Sequence, residues 1–385
     1  MQPKRMVLFL GAGASVPFGY PTTNQILQRI VDSIRPNNES VAREIWAKWA
    51  VQQGEKTRAD LLAALQLVLP GSGFDSDTSG ASIIDVLSTI DYQISSAVSL
   101  SPKFRDKELR EARQLLNIAM NGVMQGDLMK PYRQKIAEWI VRSAGAGHRI
   151  SIVSTNYDCV LELPLYEILR VEQREAFEEV DFGTSVVSPS DRSFNRPGNA
   201  QMGVFKLHGS LNWLKCEVCG RLYVNTAGRI LSLEFREKSD EFNTCACTGR
   251  LRGVLVAPSF IRDVREPHLL SIWGAALQEL REATDWVFIG YSLPQEDVAI
   301  RSLLLRALHA RTQDSLRIRV ALKDELETAR RAAPGAQPGQ DAPRVQSDAF
   351  LRYLNFAPRS SFNPAADYFP QGAIEVLEHL RNGGL

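Results

Sequence analysis

The chain has 385 residues, 44% hydrophobic and 23% charged, with a formal net charge of +1 at pH 7. Those figures fit one large or two modest globular domains and exclude fibrous, disordered and membrane-spanning classes, since no run approaches the roughly 20 apolar residues a spanning helix needs. A near-neutral balance supplies no global field toward nucleic acid or a membrane surface. The apolar run at 7–10 is too short for a signal peptide and meets glycine at once, so a cytoplasmic protein is expected.

In chain order, residues 6–10 predict a buried strand that stops at Gly11. After Pro21, residues 22–34 predict a helix with Ile26, Leu27, Ile30 and Ile34 on one face and Thr22 or Thr23 as N-cap. Segments 40–53, 57–69, 82–98, 106–124 and 131–144 each carry apolar residues at helical spacing. The Gly-rich polar stretch 70–82 breaks them as a loop. Strands are predicted at 148–158, 204–210, 253–260, 285–294 and 316–322, with a helix over 296–310. Residues 333–343, rich in Pro, Gly and Gln, predict a surface loop. Order returns at 350–356 and 372–382. Strands alternating with helices imply an α/β, Rossmann-like, mainly parallel sheet with right-handed crossovers. There is no internal repeat. Trp46, Trp49, Trp139 and Trp273 read as core residues, and the basic stretches around Arg250 and Arg306 as solvated faces.

Polar clusters recur where strands end: GAGAS at 11–15, STNYD at 154–158, LHGS at 207–210 and GYSLP at 290–294. Ligands bind at that edge of an open α/β sheet. Lacking Cβ atoms, Gly11 and Gly13 would let a pyrophosphate approach, with their N–H groups and the next helix N-terminus holding its charge. A purely structural tight turn is the other reading. The third glycine of the dinucleotide fingerprint is missing, with Val16 and Pro17 in its place. Asp32 ends a helix instead of following a second strand, so an ordinary dehydrogenase fits poorly. Asn156 and Asp158 suit either an Asx-turn or a ligand-facing loop. His208 suits a structural role or one as proton acceptor or ribose contact.

Cys159 stands alone and reads as a small buried residue. The other four cysteines fall as Cys216-x-x-Cys219 and Cys245-x-Cys247. Without a secretion signal, that clustering favours metal over disulfides, and four thiolates suit a closed, structural, tetrahedral Zn²⁺ site. Free thiols are the alternative.

Taken together these motifs resemble the sirtuin family. Its Gly-Ala-Gly-x-Ser turn matches residues 11–15, and its Thr-Gln-Asn-x-Asp matches Ser154-Thr155-Asn156-Tyr157-Asp158 with Thr155 in place of Gln. Its His-Gly matches His208-Gly209, its zinc module the four cysteines, and its Gly-Thr-Ser strand end Gly290-Tyr291-Ser292. The resemblance implies a single sirtuin-like domain over 1–385, with a helical insertion at 35–145 and a zinc ribbon at 211–252. It implies NAD bound by Gly11, Ala12, Gly13, Ser15, Thr155, Asp158, Gly290 and Ser292, catalysis by Asn156 and His208, and Zn at Cys216, Cys219, Cys245 and Cys247.

Two departures bear on activity. The Asp-Phe-Arg that deacylases carry after the first turn is absent, since residues 19–24 read Gly-Tyr-Pro-Thr-Thr-Asn. At the segment that deacylases pair with a peptide, residues 254–259 read Val-Leu-Val-Ala-Pro-Ser, and Pro258 lacks an N–H for strand addition. These features resemble the bacterial sirtuin-like NAD hydrolases of antiphage defence. That resemblance implies cleavage of NAD⁺ to nicotinamide and ADP-ribose. It also implies restraint by homo-oligomerisation or by a separate partner such as a HerA-type ATPase or an Argonaute-like protein, without membrane or direct nucleic-acid binding. A protein deacylase or ADP-ribosyltransferase, and a non-catalytic NAD or ADP-ribose sensor, are the alternatives.

Overall fold

The computed structural model describes residues 3–34, 51–71, 82–96, 99, 101–102, 105–124, 129–228, 244–255, 266–295, 297–311, 315–325, 328 and 347–382. The helix expected before residue 51, with Trp46 and Trp49, lies outside them, as do most of the 70–82 loop, the 256–260 end of an expected strand and the 333–343 loop.

Strand β1 (Arg5–Leu10) runs into two single 3-10 turns, Ala12–Ala14 and Val16–Phe18. Helices α1 (Thr23–Ile34), α2 (Val51–Val68), α3 (Ile83–Ser96), α4 (Asp106–Val123) and α5 (Lys130–Gly145) follow. Next come β2 (Arg149–Ser154), α6 (Glu162–Val171), β3 (Val180–Asp181), β4 (Val186–Val187) and β5 (Ser193–Phe194). The chain continues through β6 (Met202–Lys206), β7 (Gly209–Cys216), β8 (Leu222–Val224) and β9 (Leu251–Leu255). It closes with α7 (Pro267–Glu282), β10 (Asp285–Ile289), α8 (Val298–His309), β11 (Arg317–Ala321), α9 (Asp348–Phe356), β12 (Tyr368–Phe369) and α10 (Ala373–Arg381).

Seven strands pair in the order β12-β11-β10-β1-β2-β6-β3, every pairing parallel. Apolar runs such as MVLFL and WVFI are buried along their length, as a sheet covered on both faces requires. Setting aside the two-residue edge strand β3, this is the doubly wound order, in which the chain leaves the central strand in opposite directions. The switch point therefore lies between β1 and β10. The strand ends GAGAS and GYSLP face each other across it, with STNYD beside them at the end of β2.

The second sheet has five strands in the order β5-β4-β8-β7-β9, with β7 antiparallel to both β8 and β9. The strand expected at 253–260 is thus corrected: its described part belongs to β9, in this sheet and not the parallel one. Its periodicity cannot distinguish the two. A hydrophobic core of its own joins this sheet to α1–α4, through Ile30, Leu61, Leu87, Leu116, Leu211 and Leu214. Helix α5 instead buries Ile136, Ala137 and Trp139 in the core of the parallel sheet. The two helices expected around residue 54 are also corrected in part, because α2 runs unbroken from residue 51 through Gly54. One interior glycine costs only about 1 kcal/mol, which neighbouring turns can absorb. At α1, Thr22 precedes the helix and its N–H donates to Gln25 Oε1 (2.9 Å), so the side chain that caps is Gln25.

Candidate functional site

The end of β1 is locked to the end of β10. The N–H of Gly11 donates to the Ile289 carbonyl and that of Gly13 to the Gly290 carbonyl, both at 2.9 Å. Ala14 and Ser15 donate back to Gly11 and Ala12 at 2.9 and 3.1 Å. The two N–H groups expected to face a pyrophosphate are therefore already taken. A Cβ on Gly11 would stand 2.6 Å from the Gly290 oxygen, and one on Gly290 would stand 1.9 Å from the Ala14 nitrogen. Gly290 also holds a left-handed φ of 63°. The bare backbone of GAG is needed by the chain itself, because another strand end lies against it. Of residues 11–15, only Ala12 lines the adjoining cleft.

STNYD emerges from β2 beside this turn. Asn156 Nδ2 donates to the Gly11 carbonyl (2.8 Å) and to Ser15 Oγ (3.1 Å), and the Ser15 hydroxyl donates to Asp158 Oδ2 (2.8 Å). A carbonyl can only accept, and the Ser15 proton is spent on Asp158, so the amide orientation is fixed. Both Nδ2 hydrogens are committed, and Oδ1 is the atom that remains to meet a ligand. Asp158 Oδ1 accepts from the Val160 N–H at 3.2 Å, which is the Asx-turn of the alternative reading. The same residue lines the cleft. Thr155 is anchored through its own N–H to the Leu10 carbonyl at 3.0 Å.

His208 follows β6. Its Nδ1 lies 3.0 Å from the Thr155 carbonyl and must be the donor there. In a neutral imidazole that leaves Nε2 unprotonated, a hydrogen-bond acceptor and base. Asn156 and His208 are both buried, with 8% and 3% exposure.

These groups line a cavity of about 200 Å³. Its lining combines Ala12, Thr155, Asn156, Asp158, His208 and Ser292 from the strand ends with Ile26, Ile83, Ile84 and Met120 from α1, α3 and α4. The structure thus brings seven expected residues to one cleft, counting Gly290 on its lining. Gly11, Gly13 and Ser15 are not on its lining: Gly11 and Ser15 back Asn156 and Asp158, and Gly13 is bonded to Gly290. Ser292 is the exposed member, its carbonyl held by Arg352 Nε at 3.0 Å.

Sequence reasoning missed the buried charges beneath. Lys206 Nζ lies 2.7 Å from Glu162 Oε1 and also donates to the Asp158 carbonyl. Burial pulls the Lys206 ammonium down, but Glu162 and its other anionic neighbours outweigh it and leave the group above its usual value. The signal was present: a lysine inside the apolar run VFKL. Also missed was Asp297, which lines the cleft, caps α8 and accepts from the Tyr291 hydroxyl at 2.9 Å. Cys159 is buried as expected, and desolvation pushes its thiol up to about 12.

The four remaining cysteines converge at the far end of β7. Their Sγ atoms all lie within 4.8 Å of one another, with Cys216–Cys247 at 3.5 Å and Cys219–Cys245 at 3.4 Å. Tetrahedral zinc with bonds of about 2.3 Å sets its sulfurs ~3.8 Å apart. Gly249 completes the cradle, since a Cβ there would stand 2.6 Å from Cys216 Sγ. Burial would raise the Cys216 thiol, but N–H groups of Cys219 and Val218 pull it down to about 6. The donor set fits a structural Zn²⁺.

The sequence matches no family model and no curated protein. Solved structures similar to it include a Sir2 protein with a p53 peptide and NAD⁺, at 12% identity and a TM-score of 0.39, covering 100% of this chain and 94% of that one. A Sir2 homologue in complex with NAD is similar at 14% identity and a TM-score of 0.37, covering 99% of this chain and 89% of that one. Likenesses this distant carry no argument about activity, which rests on the cleft.

Proposed function

We propose that the chain hydrolyses the nicotinamide–ribose bond of NAD⁺, giving nicotinamide and ADP-ribose. The observation that carries this reading is the joint placement of Asn156 Oδ1 and the His208 imidazole in one buried cleft at the sheet's switch point. The motif resemblance adds the substrate. Cleavage breaks the C1′–N bond, and the bonding electrons leave with the nicotinamide nitrogen, neutralising its ring. The ribose carbon develops oxocarbenium character. Asn156 Oδ1 is an acceptor suited to orient a water or a ribose hydroxyl, and its dipole favours the developing cation. Water supplies the new C–O bond, and its proton passes to a base, for which His208 Nε2 has the tautomer. Asp158 and Ser15 hold Asn156 in place.

Water is the acceptor that suits a small cavity whose lining includes several apolar side chains. The thiolate cluster would hold zinc for structure alone, at the far end of β7 from His208. By the same motif resemblance, the protein acts in the cytoplasm as an antiphage effector that depletes NAD⁺. Self-association or a separate partner, such as a HerA-type ATPase or an Argonaute-like protein, restrains it.

The test is nicotinamide release from NAD⁺ by the purified protein, alone and with each candidate partner, beside Asn156→Ala and His208→Ala. Release by the unaltered protein, lowered about 100-fold or more in both variants, is expected for a positioned polar group and a general base. Absence of release in every assembly, or equal release by all three proteins, overturns the reading.

A further inference from the structure

Lys206 occupies the last position of β6, in register with Ser154 on β2. It is 1% exposed, and Glu162, the first residue of α6, is 2% exposed. Removing two charges from water is costly, and their attraction seldom more than breaks even with a well-packed apolar pair. Stability alone therefore gives weak reason for a lysine here. Its second contact is informative, because the ammonium donates to the main-chain carbonyl of Asp158 as well as to Glu162. An apolar side chain could not make that bond.

The segment 155–161 is strung between β2 and α6 and carries both Asn156 and Asp158. It is pinned at its start by the Thr155 N–H on Leu10, at 3.0 Å. Its middle is held by the Leu211 N–H on the Tyr157 carbonyl, at 2.9 Å. The Asp158 carboxylate is held by Ser15 and Val160. Lys206 supplies the matching hold on the Asp158 main chain, from a strand that places His208 two residues later.

We propose that Lys206 is a positioning residue, a buried clamp that fixes the loop bearing Asn156 and Asp158 against the end of the strand that leads to His208. Glu162 accepts a second bond from the same ammonium, at 2.7 Å. The consequence for turnover rests on the hydrolase reading above; the clamp itself does not.

Three variants separate a clamp from a structural ion pair. Glu162→Gln leaves the Lys206 bond to Asp158, so melting temperature falls while kcat stays within about 3-fold. Lys206→Met removes the bond and strands Glu162, so both fall. The double variant, with neither charge, regains melting temperature, yet kcat stays down about 10- to 100-fold with KM little changed, as expected for a displaced catalytic group. It also carries the test if Lys206→Met does not fold. Recovery of kcat together with melting temperature in the double variant overturns the proposal.

Amide hydrogen exchange supplies a readout independent of turnover. Exchange across 155–161 rises in the double variant while β2 and β6 stay protected. Unchanged exchange there overturns the clamp. If the unaltered protein releases no nicotinamide in any assembly, the hydrolase reading fails and the exchange result still decides the clamp.

Discussion

Replacing Gly290 by alanine tests the lock between the ends of β1 and β10. The new Cβ would stand 1.9 Å from the Ala14 nitrogen and 2.2 Å from the Gly13 carbonyl carbon, both main-chain atoms that cannot swing aside. A left-handed φ of 63° costs an alanine about 1–2 kcal/mol. Overpacking adds about 1–3 kcal/mol. Prying the strand ends apart also loses the 2.9 Å bond from Gly13 to Gly290, a further ~1 kcal/mol. The sum, roughly 3–6 kcal/mol, is a large share of a typical stability of about 5–15 kcal/mol. At about 2 °C per kcal/mol, the melting temperature should drop by roughly 6–12 °C. Gly274→Ala is the control: exposed on α7 with nothing within 4 Å of a Cβ, it should be neutral or gain up to ~1 kcal/mol. Thermal melts of the two variants beside the parent decide the matter. A Gly290→Ala protein melting with the parent would refute the lock, and with it the account of why GAG is bare.

Metal analysis should find one zinc per chain, and chelation or Cys247→Ser should lower the melting temperature. Zinc-free protein that melts unchanged after chelation would count against the site. Cys159 should resist iodoacetamide at pH 8, where a thiol at about 12 is only ~0.01% thiolate, while Cys219 and Cys247, both exposed, label once metal is removed. Because its folded value lies above the unfolded one, the stability Cys159 contributes is complete below about pH 9 and is lost as pH rises toward 12. Alkylation of Cys159 in folded protein at pH 8 would contradict its burial.

The parallel sheet was legible because its strands are short apolar runs punctuated by glycine and polar clusters, and four of those clusters do meet at one edge. The identity of each cluster's partners was not legible. That Gly13 would spend its N–H on Gly290 depends on two segments far apart in sequence, and no local pattern encodes it. Ser15 carries a family motif but serves Asn156 and Asp158 from behind the cleft, a distinction that only packing makes. β9 reads Leu-Arg-Gly-Val-Leu, five residues too few and too mixed to show which sheet they join. Lys206 was readable as an anomaly, a cation in an apolar strand, while its partner Glu162 lies in a stretch where the sequence predicts no element and nothing local pairs the two.

The placement of β1 at the centre of the sheet also bears on how the chain comes off the ribosome. Its neighbours are β2 and β10, and β10 emerges roughly 280 residues after β1 is made, about 14–56 s later at ordinary elongation rates. Until then one edge of an almost wholly apolar strand has no partner, and Gly11 and Gly13 have no carbonyls to meet. A nascent or truncated chain ending before Ile289 and Gly290 would therefore hold Asn156 and His208 with half a cleft. Whatever this site does, it can begin only after Gly290 has been synthesised, and until then the free edge of β1 is open to the wrong partner.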